Sequence, residues 1–198
     1  MAAPLSDESL ERLVLQARTH NGWLDAPVDD ALLHRVYELA RLGPTAANSV
    51  PGRFVFVKSA AAKERLRPAL AAGNVDKTMA APATVIVAYD EAFHTRMPEL
   101  FPARPQMGET LAAMPADKRD WMLLQNASLQ AGYLIMAARA LGLDCGPMGG
   151  FDRAAVDRAF FEGTPWKSIL LVNLGHGDPA KLHPRNPRLA FEQAARIE

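Results

Sequence analysis

Residues 121–138 read WMLLQNASLQAGYLIMAA, a stretch without a single charged side chain. A run of that length can cross a bilayer. But Gln125, Asn126, Ser128 and Gln130 stand in its middle, where hydrocarbon penalises each amide. The run therefore reads as a buried helix of a water-soluble fold, started at Asp117 and ended at Leu141-Gly142. Freedom from charge on every side predicts burial on every side, which a small monomer rarely provides. The helix thus points to a homodimer.

Working outward, Ser6 and Asp7 can cap a helix through Leu10, Leu13, Val14 and Ala17 that ends near His20-Asn21-Gly22. Asp29 or Asp30 opens a second helix with Leu32, Leu33, Val36, Leu39 and Ala40 on one face, stopped by Gly43-Pro44. Residues 45–52 read as a loop and 54–57 (FVFV) as a short buried strand. Residues 63–70 read as a helix interrupted at Pro68, 73–80 as a turn or short helix, and 83–89 (ATVIVAY) as a second strand. Four prolines make 93–117 a loop-rich excursion with one short helix at most. Beyond the long helix come a Gly/Pro-rich segment (144–150), a helix (154–161), a third strand (168–174) and a polar tail. Strict βαβ alternation is missing, so the expected class is α+β around a small sheet.

The chain has 198 residues, with 22 Lys plus Arg against 22 Asp plus Glu, so it is no polybasic nucleic-acid binder. Its 49% hydrophobic and 22% charged residues suit one globular domain over 1–198. The lone Cys145 excludes an internal disulfide framework, and MAAPLSDESLERL has no apolar core of a signal peptide. The expected setting is the cytoplasm, with no membrane and no nucleic acid. No GxGxxG or GxxxxGK[ST] follows a strand, there is no HExxH or GxSxG, and the five histidines are scattered. These absences argue against a P-loop, a dinucleotide-binding Rossmann site, a metal centre and a serine nucleophile.

Four segments stand out, each with a plainer structural reading. Arg18-Thr19-His20-Asn21 offers a cation, a hydroxyl, an imidazole and an amide, or is simply a helix C-terminus. Pro44 to Pro51 is a polar loop containing Thr45 and Asn48, suited to a binding surface or to a turn. Asn74 and Lys77 share one helical face, where they can read a carbonyl-rich heteroaromatic ring or stand in solvent. Pro147-Met148-Gly149-Gly150 lets a backbone approach a flat ligand, or makes a tight turn between two helices. In the tail, Arg185 and Arg188 can clamp a phosphate.

In this order, the segments resemble the nitroreductase family of flavin enzymes. The residues that carry the likeness are ARTHNGW (17–23), GPTAANSVPGRFVFV (43–57), KERLRPALAAGNVDKTMAAPATVIVAYD (63–90), NASLQAGYLIMAARALGLDCGPMGGFD (126–152) and NPRL (186–189). They are most similar to the malonic semialdehyde (3-hydroxypropanoate) reductases of pyrimidine degradation. The resemblance implies an antiparallel sheet flanked by helices in an intertwined homodimer, with FMN at the interface and NADPH or NADH as hydride donor. It implies that Arg18 and Thr19, with His20 beside them, serve the phosphate and ribityl end, with Asn21 where the family has a second basic residue. It implies that Thr45 and Asn48 come from the other subunit, with Val50-Pro51-Gly52 in place of Gln-Pro-Trp. Asn74 and Lys77 would face the pyrimidine edge of the flavin, and Pro147, Met148, Gly149 and Gly150 would lie along the ring. Arg188, helped by Arg185, would meet the phosphate. The implied mechanism is ping-pong hydride transfer with no catalytic side chain. Arg96, Arg104 and Arg119 are candidates for the substrate carboxylate. A broad nitro, quinone or enone reductase and a non-catalytic flavin-binding protein are the alternatives.

Overall fold

The computed structural model describes residues 3–198. Ser6 caps α1 (Asp7–Leu10), which widens into a π-helical turn over Glu11–Leu15. The helix stops short of Ala17. The Arg185 guanidinium takes the Leu15 and Ala17 carbonyls at 2.6 and 3.1 Å, so no further backbone turn is needed to satisfy them. Asp29 caps α2 (Asp30–Ala40), whose Leu33, Val36 and Ala40 turn inward at helical spacing. β1 (Gly52–Val57) leads through the Ser59 cap into α3 (Ala60–Leu66), which tightens to a 3-10 turn at Pro68. α4 (Val75–Ala80) then runs into β2 (Ala83–Asp90).

The excursion after β2 carries more helix than its prolines imply. A 3-10 turn (Phe93–Arg96) is followed by α5 (Met97–Leu100) and α6 (Met107–Ala112). Pro98 sits in the first turn of α5, where a missing N–H costs nothing. Phe93, Met97 and Leu111 fold onto Leu123 as a small core of their own. α7 (Ala116–Ala140) is the long helix, followed by β3 (Asp144–Met148), α8 (Arg153–Phe160), β4 (Trp166–Gly175) and α9 (Phe191–Ala194).

Among the described residues the sheet has four strands in the order β1-β2-β4-β3, every pair antiparallel. Sequence reasoning found three of them. β3 was hidden because Gly146 and Pro147 are poor strand formers, yet Pro147 is tolerated at a sheet edge, which needs no second row of donors. The 147–150 segment is therefore a strand end and its exit, not a turn between two helices. Alternation along the central strands feeds two cores. Val85, Val87, Val172 and Leu174 face α2 and α7, while Ile86, Ala88 and Leu171 face α3 and α8. The result is an α+β sandwich of helices, sheet and helices.

The inner side of α7 buries Leu123, Ala127, Ala131, Leu134 and Ala138. Its other side is not covered within one chain, contrary to burial all round: Trp121 is 65% exposed, and Leu129 and Met136 are also in contact with solvent. Among the described residues no helix is long and apolar enough to cross a membrane.

Candidate functional site

Three of the four sequence segments and part of the tail lie along one edge of the sheet, beside β3 and its exit. Thr19 bridges to Cys145 in parallel, and the His20 N–H donates to the Cys145 carbonyl at 3.0 Å. This lays residues 18–21 beside the edge strand. The Asn21 side chain accepts a hydrogen bond from Lys77 Nζ at 3.3 Å. Asn74 Nδ2 donates to the Gly150 carbonyl at 2.7 Å, joining α4 to the far end of the β3 exit. Arg18 donates to the His183 carbonyl, so the tail lies over the same region.

Gly149 and Gly150 are exposed and form a shelf without side chains. A Cβ on Gly149 would meet open space, whereas one on Gly150 would lie 2.6 Å from the Asn74 amide nitrogen. Lys77 is half-buried. Its ammonium has three donors, and its one hydrogen-bond partner among the described residues is Asn21. Pro147 is half-buried, and Met148 is buried with its sulfur accepting from Thr78 Oγ1 at 3.5 Å.

Two predicted residues stand elsewhere in the chain. The 43–52 loop is laid on α7 rather than on the β3 exit. Asn126 Oδ1 accepts the Ala46 N–H and Gln130 Oε1 the Gly52 N–H, both at 2.7 Å, and Tyr133 donates to the Pro44 carbonyl at 2.9 Å. A Cβ on Gly43 would fall 2.0 Å from the Tyr133 ring. Within the loop Thr45 Oγ1 accepts the Val50 N–H, and Asn48 Nδ2 donates to the Leu100 carbonyl at 2.7 Å. The backbone is left-handed at Ala47 (φ 51°), Asn48 (φ 52°) and Val50 (φ 39°), a costly conformation for a β-branched residue.

His20 turns inward. Its imidazole is buried against Trp23 and Gly177, with Nε2 3.4 Å from Asp144. Arg185 holds the end of the N-terminal helix, and Arg188 donates to the Asn186 and Pro187 carbonyls of its own turn. Cys145 is buried, and burial pushes its thiol up to about 12, which makes it a poor nucleophile. In the excursion Arg96 pairs with Glu99 at 2.6 Å and Arg119 donates to the Ala112 carbonyl. The Arg104 guanidinium has no hydrogen bond among the described residues.

Lys63 was not singled out from the sequence. It is 4% exposed, and its Nζ donates to the Thr78 carbonyl and to Thr84 Oγ1, both at 2.7 Å. Burial pulls the ammonium down to about 8. The available signal was its place three residues before Leu66, on the inward side of α3. Trp23 and Asn173 were also missed; both donate to the Lys77 carbonyl, at 2.9 and 3.3 Å.

The profile described as Nitroreductase family matches residues 3–176 of this chain. The chain belongs to the nitroreductase family. Two relatives, from Burkholderia lata and Ralstonia nicotianae, are each 57% identical to it, with 98% of this chain and 98% of theirs aligned. Both are provisionally named NADH dehydrogenase/NAD(P)H nitroreductase. Solved structures share the nitroreductase fold at lower identity. A provisionally assigned nitroreductase from Exiguobacterium sibiricum, in complex with FMN, superposes with a TM-score of 0.86 at 19% identity over 100% of both chains. An enone reductase of gut-bacterial fatty-acid saturation gives 0.81 at 17% identity, covering 98% of this chain and 99% of its own.

Proposed function

We propose that this nitroreductase-family chain is an FMN-dependent NAD(P)H oxidoreductase. In this reading it works as a cytoplasmic homodimer, one domain per subunit, with malonic semialdehyde as substrate and 3-hydroxypropanoate as product in pyrimidine degradation. The observation that carries the reading is the line of groups along β3: Asn74 holds the Gly150 carbonyl at the Gly149-Gly150 shelf, Lys77 holds Asn21, and Thr19 bridges to Cys145.

These residues fit FMN. A flat ring needs a surface without side chains, and the two glycines provide one. A ring edge rich in carbonyls needs donors, and Asn74 and Lys77 supply them. A phosphate needs cations, and Arg18 would supply one, with Arg185 beside it at the Ala17 carbonyl. When bound, FMN would supply the two-electron carrier that accepts hydride from NAD(P)H and returns it to the substrate. Lys77 would hold positive charge where the reduced ring gains negative charge. Gly149 and Gly150 would leave the ring face clear of side chains, with the backbone of Pro147 and Met148 leading up to it. The loop that carries Thr45 and Asn48 is tied to α7, and Asn48 to the Leu100 carbonyl, in their own chain, so in this reading the two residues reach the cofactor of a second copy. The uncovered side of α7 is the surface that such a copy would bury.

The test is an absorbance spectrum of the purified protein, then anaerobic NADPH, then malonic semialdehyde. Flavin bands that bleach and recover with the aldehyde are expected. Bleaching without recovery removes the substrate, and bands that resist NADPH leave a non-catalytic flavin protein. A colourless protein that refuses added FMN ends the reading. A second reading, a broad nitro, quinone or enone reductase, draws on Val50-Pro51-Gly52, which stands where the family has Gln-Pro-Trp and so lacks its large aromatic side chain. It predicts faster turnover of a nitroaromatic than of the semialdehyde.

A further inference from the structure

We propose that Lys63 is a positioning residue for the cofactor site: its Nζ takes the place of a backbone N–H missing at the end of α4 and so fixes where Asn74 and Lys77 stand over the Gly149-Gly150 shelf. The proposal rests on the reading that this shelf binds FMN.

In an α-helix the carbonyl of residue i is met by the N–H of residue i+4. For Thr78 that residue is Pro82, which has no N–H. For Lys77 it is Ala81, where the backbone has already turned extended (φ −67°, ψ 138°). Both carbonyls are instead met by side chains. Lys63 Nζ reaches the Thr78 carbonyl, while Trp23 Nε1 and Asn173 Nδ2 reach that of Lys77. The side chains are joined to each other. Lys63 also donates to Thr84 Oγ1, Thr84 donates to Asn173 Oδ1 at 2.7 Å, and Asn173 Nδ2 lies 3.3 Å from Thr78 Oγ1. Thr78 in turn donates to the sulfur of Met148, the residue before the shelf. One network thus grips both walls of the site, α4 and the end of β3.

Lys63, Thr78, Thr84 and Asn173 are all buried. None of them can touch a bound molecule, so their action is indirect. An apolar side chain would fill the space of Lys63 but would leave the Thr78 carbonyl buried and unpaired. Its hydrogen-bond partners are all neutral, so no ion pair explains a buried ammonium here. What the ammonium does is close a six-residue helix that cannot close itself.

The test compares Lys63→Met and Thr84→Val with the wild type, alone and combined with Lys77→Met. The readouts are FMN affinity by fluorescence titration of the FMN-free chain, and the flavin midpoint potential. Lys63→Met is expected to weaken FMN binding by about tenfold and to make the potential more negative. In the Lys77→Met background it adds far less, because its effect runs through Lys77. Thr84→Val, which keeps the side-chain shape, gives a smaller change in the same direction. A folded Lys63→Met with wild-type affinity and potential overturns the proposal, as does full additivity with Lys77→Met. If Lys63→Met does not fold, Thr84→Val decides on the same criteria. Hydrogen exchange of the α4 amides in FMN-free protein separates the two layers. Faster exchange in Lys63→Met supports the clamp itself, and unchanged exchange overturns it. A wild type that binds no FMN overturns the cofactor reading and, with it, the cofactor role of Lys63.

Discussion

Asn74 Nδ2 donates to the carbonyl of Gly150 at 2.7 Å, and the same nitrogen stands 2.6 Å from where a Cβ on that glycine would lie. The pair is therefore a gauge: the glycine sets how near the amide can come. Gly150→Ala leaves the backbone unstrained but displaces the far end of Asn74. The expected outcome is an unchanged melting temperature and FMN affinity weakened by about tenfold, read by fluorescence titration. Gly149→Ala would project into open space. If it binds FMN as the wild type does, the loss at Gly150 belongs to the Asn74 contact.

Lys63 gives the protein a pH signature. Its pKa falls from 10.5 to about 8 on burial. Below about pH 8 both folded and unfolded chains hold the proton, and the fold bears the full cost of the buried charge, on the order of 3 kcal/mol. Between pH 8 and 10.5 the unfolded chain binds the proton more tightly than the fold, so this contribution favours the fold more as pH rises. Urea unfolding of wild type and Lys63→Met across that window should show the wild type gaining on the variant. Cys145 titrates in both proteins and cancels in the difference. A difference that stays flat with pH would remove the assignment.

Ala47 sits at φ 51° and ψ 28°. Ala47→Val forces a β-branched side chain into left-handed backbone and should cost about 1–2 kcal/mol by thermal or urea unfolding. Ala47→Gly should fall within about 0.5 kcal/mol of the wild type, because relief of strain offsets the added freedom of the unfolded chain. Equal losses in both variants would mean that the methyl group's packing, not the backbone, governs this position.

Among the arginines of the excursion, Arg96 and Arg119 have partners, whereas the exposed Arg104 guanidinium has none among the described residues. On the proposed malonic semialdehyde reading, Arg104→Ala is expected to raise KM for that substrate by roughly 10-fold or more, the worth of a charge-assisted hydrogen bond. Turnover of an uncharged quinone should not change. An unaltered KM for the semialdehyde would exclude Arg104 as the carboxylate's partner.

Much of the fold was legible because burial writes a period into the sequence. ATVIVAY alternates between two cores, Leu33, Val36 and Ala40 repeat at helical spacing, and residues 121–138 lack charge. β3 escaped because an edge strand can carry Gly146 and Pro147. The excursion escaped because proline ends helices but also starts them. At the candidate site, segments 18–21, 74–77 and 147–150 were visible as polar or glycine-rich punctuation. Lys63 and Asn173 were not, since a lysine on a helix and an asparagine in a strand look like surface until their partners are known. Asn126 and Gln130 were noticed only as obstacles to a membrane span. Their task, meeting the N–H groups of Ala46 and Gly52, depends on a loop far away along the chain.

That task also limits how this chain can change in length. Asn126, Gln130 and Tyr133 lie at steps of four and three residues on one stripe of α7, and each grips a different point of the 43–52 loop. One residue added to the helix between them turns everything beyond it by about 100°. The anchors would then face different quarters, and the loop would lose its template at once. Insertions and deletions in the middle of α7 should thus be the rarest events among functional descendants, whereas the excursion before it, with a small core of its own, is free to lengthen.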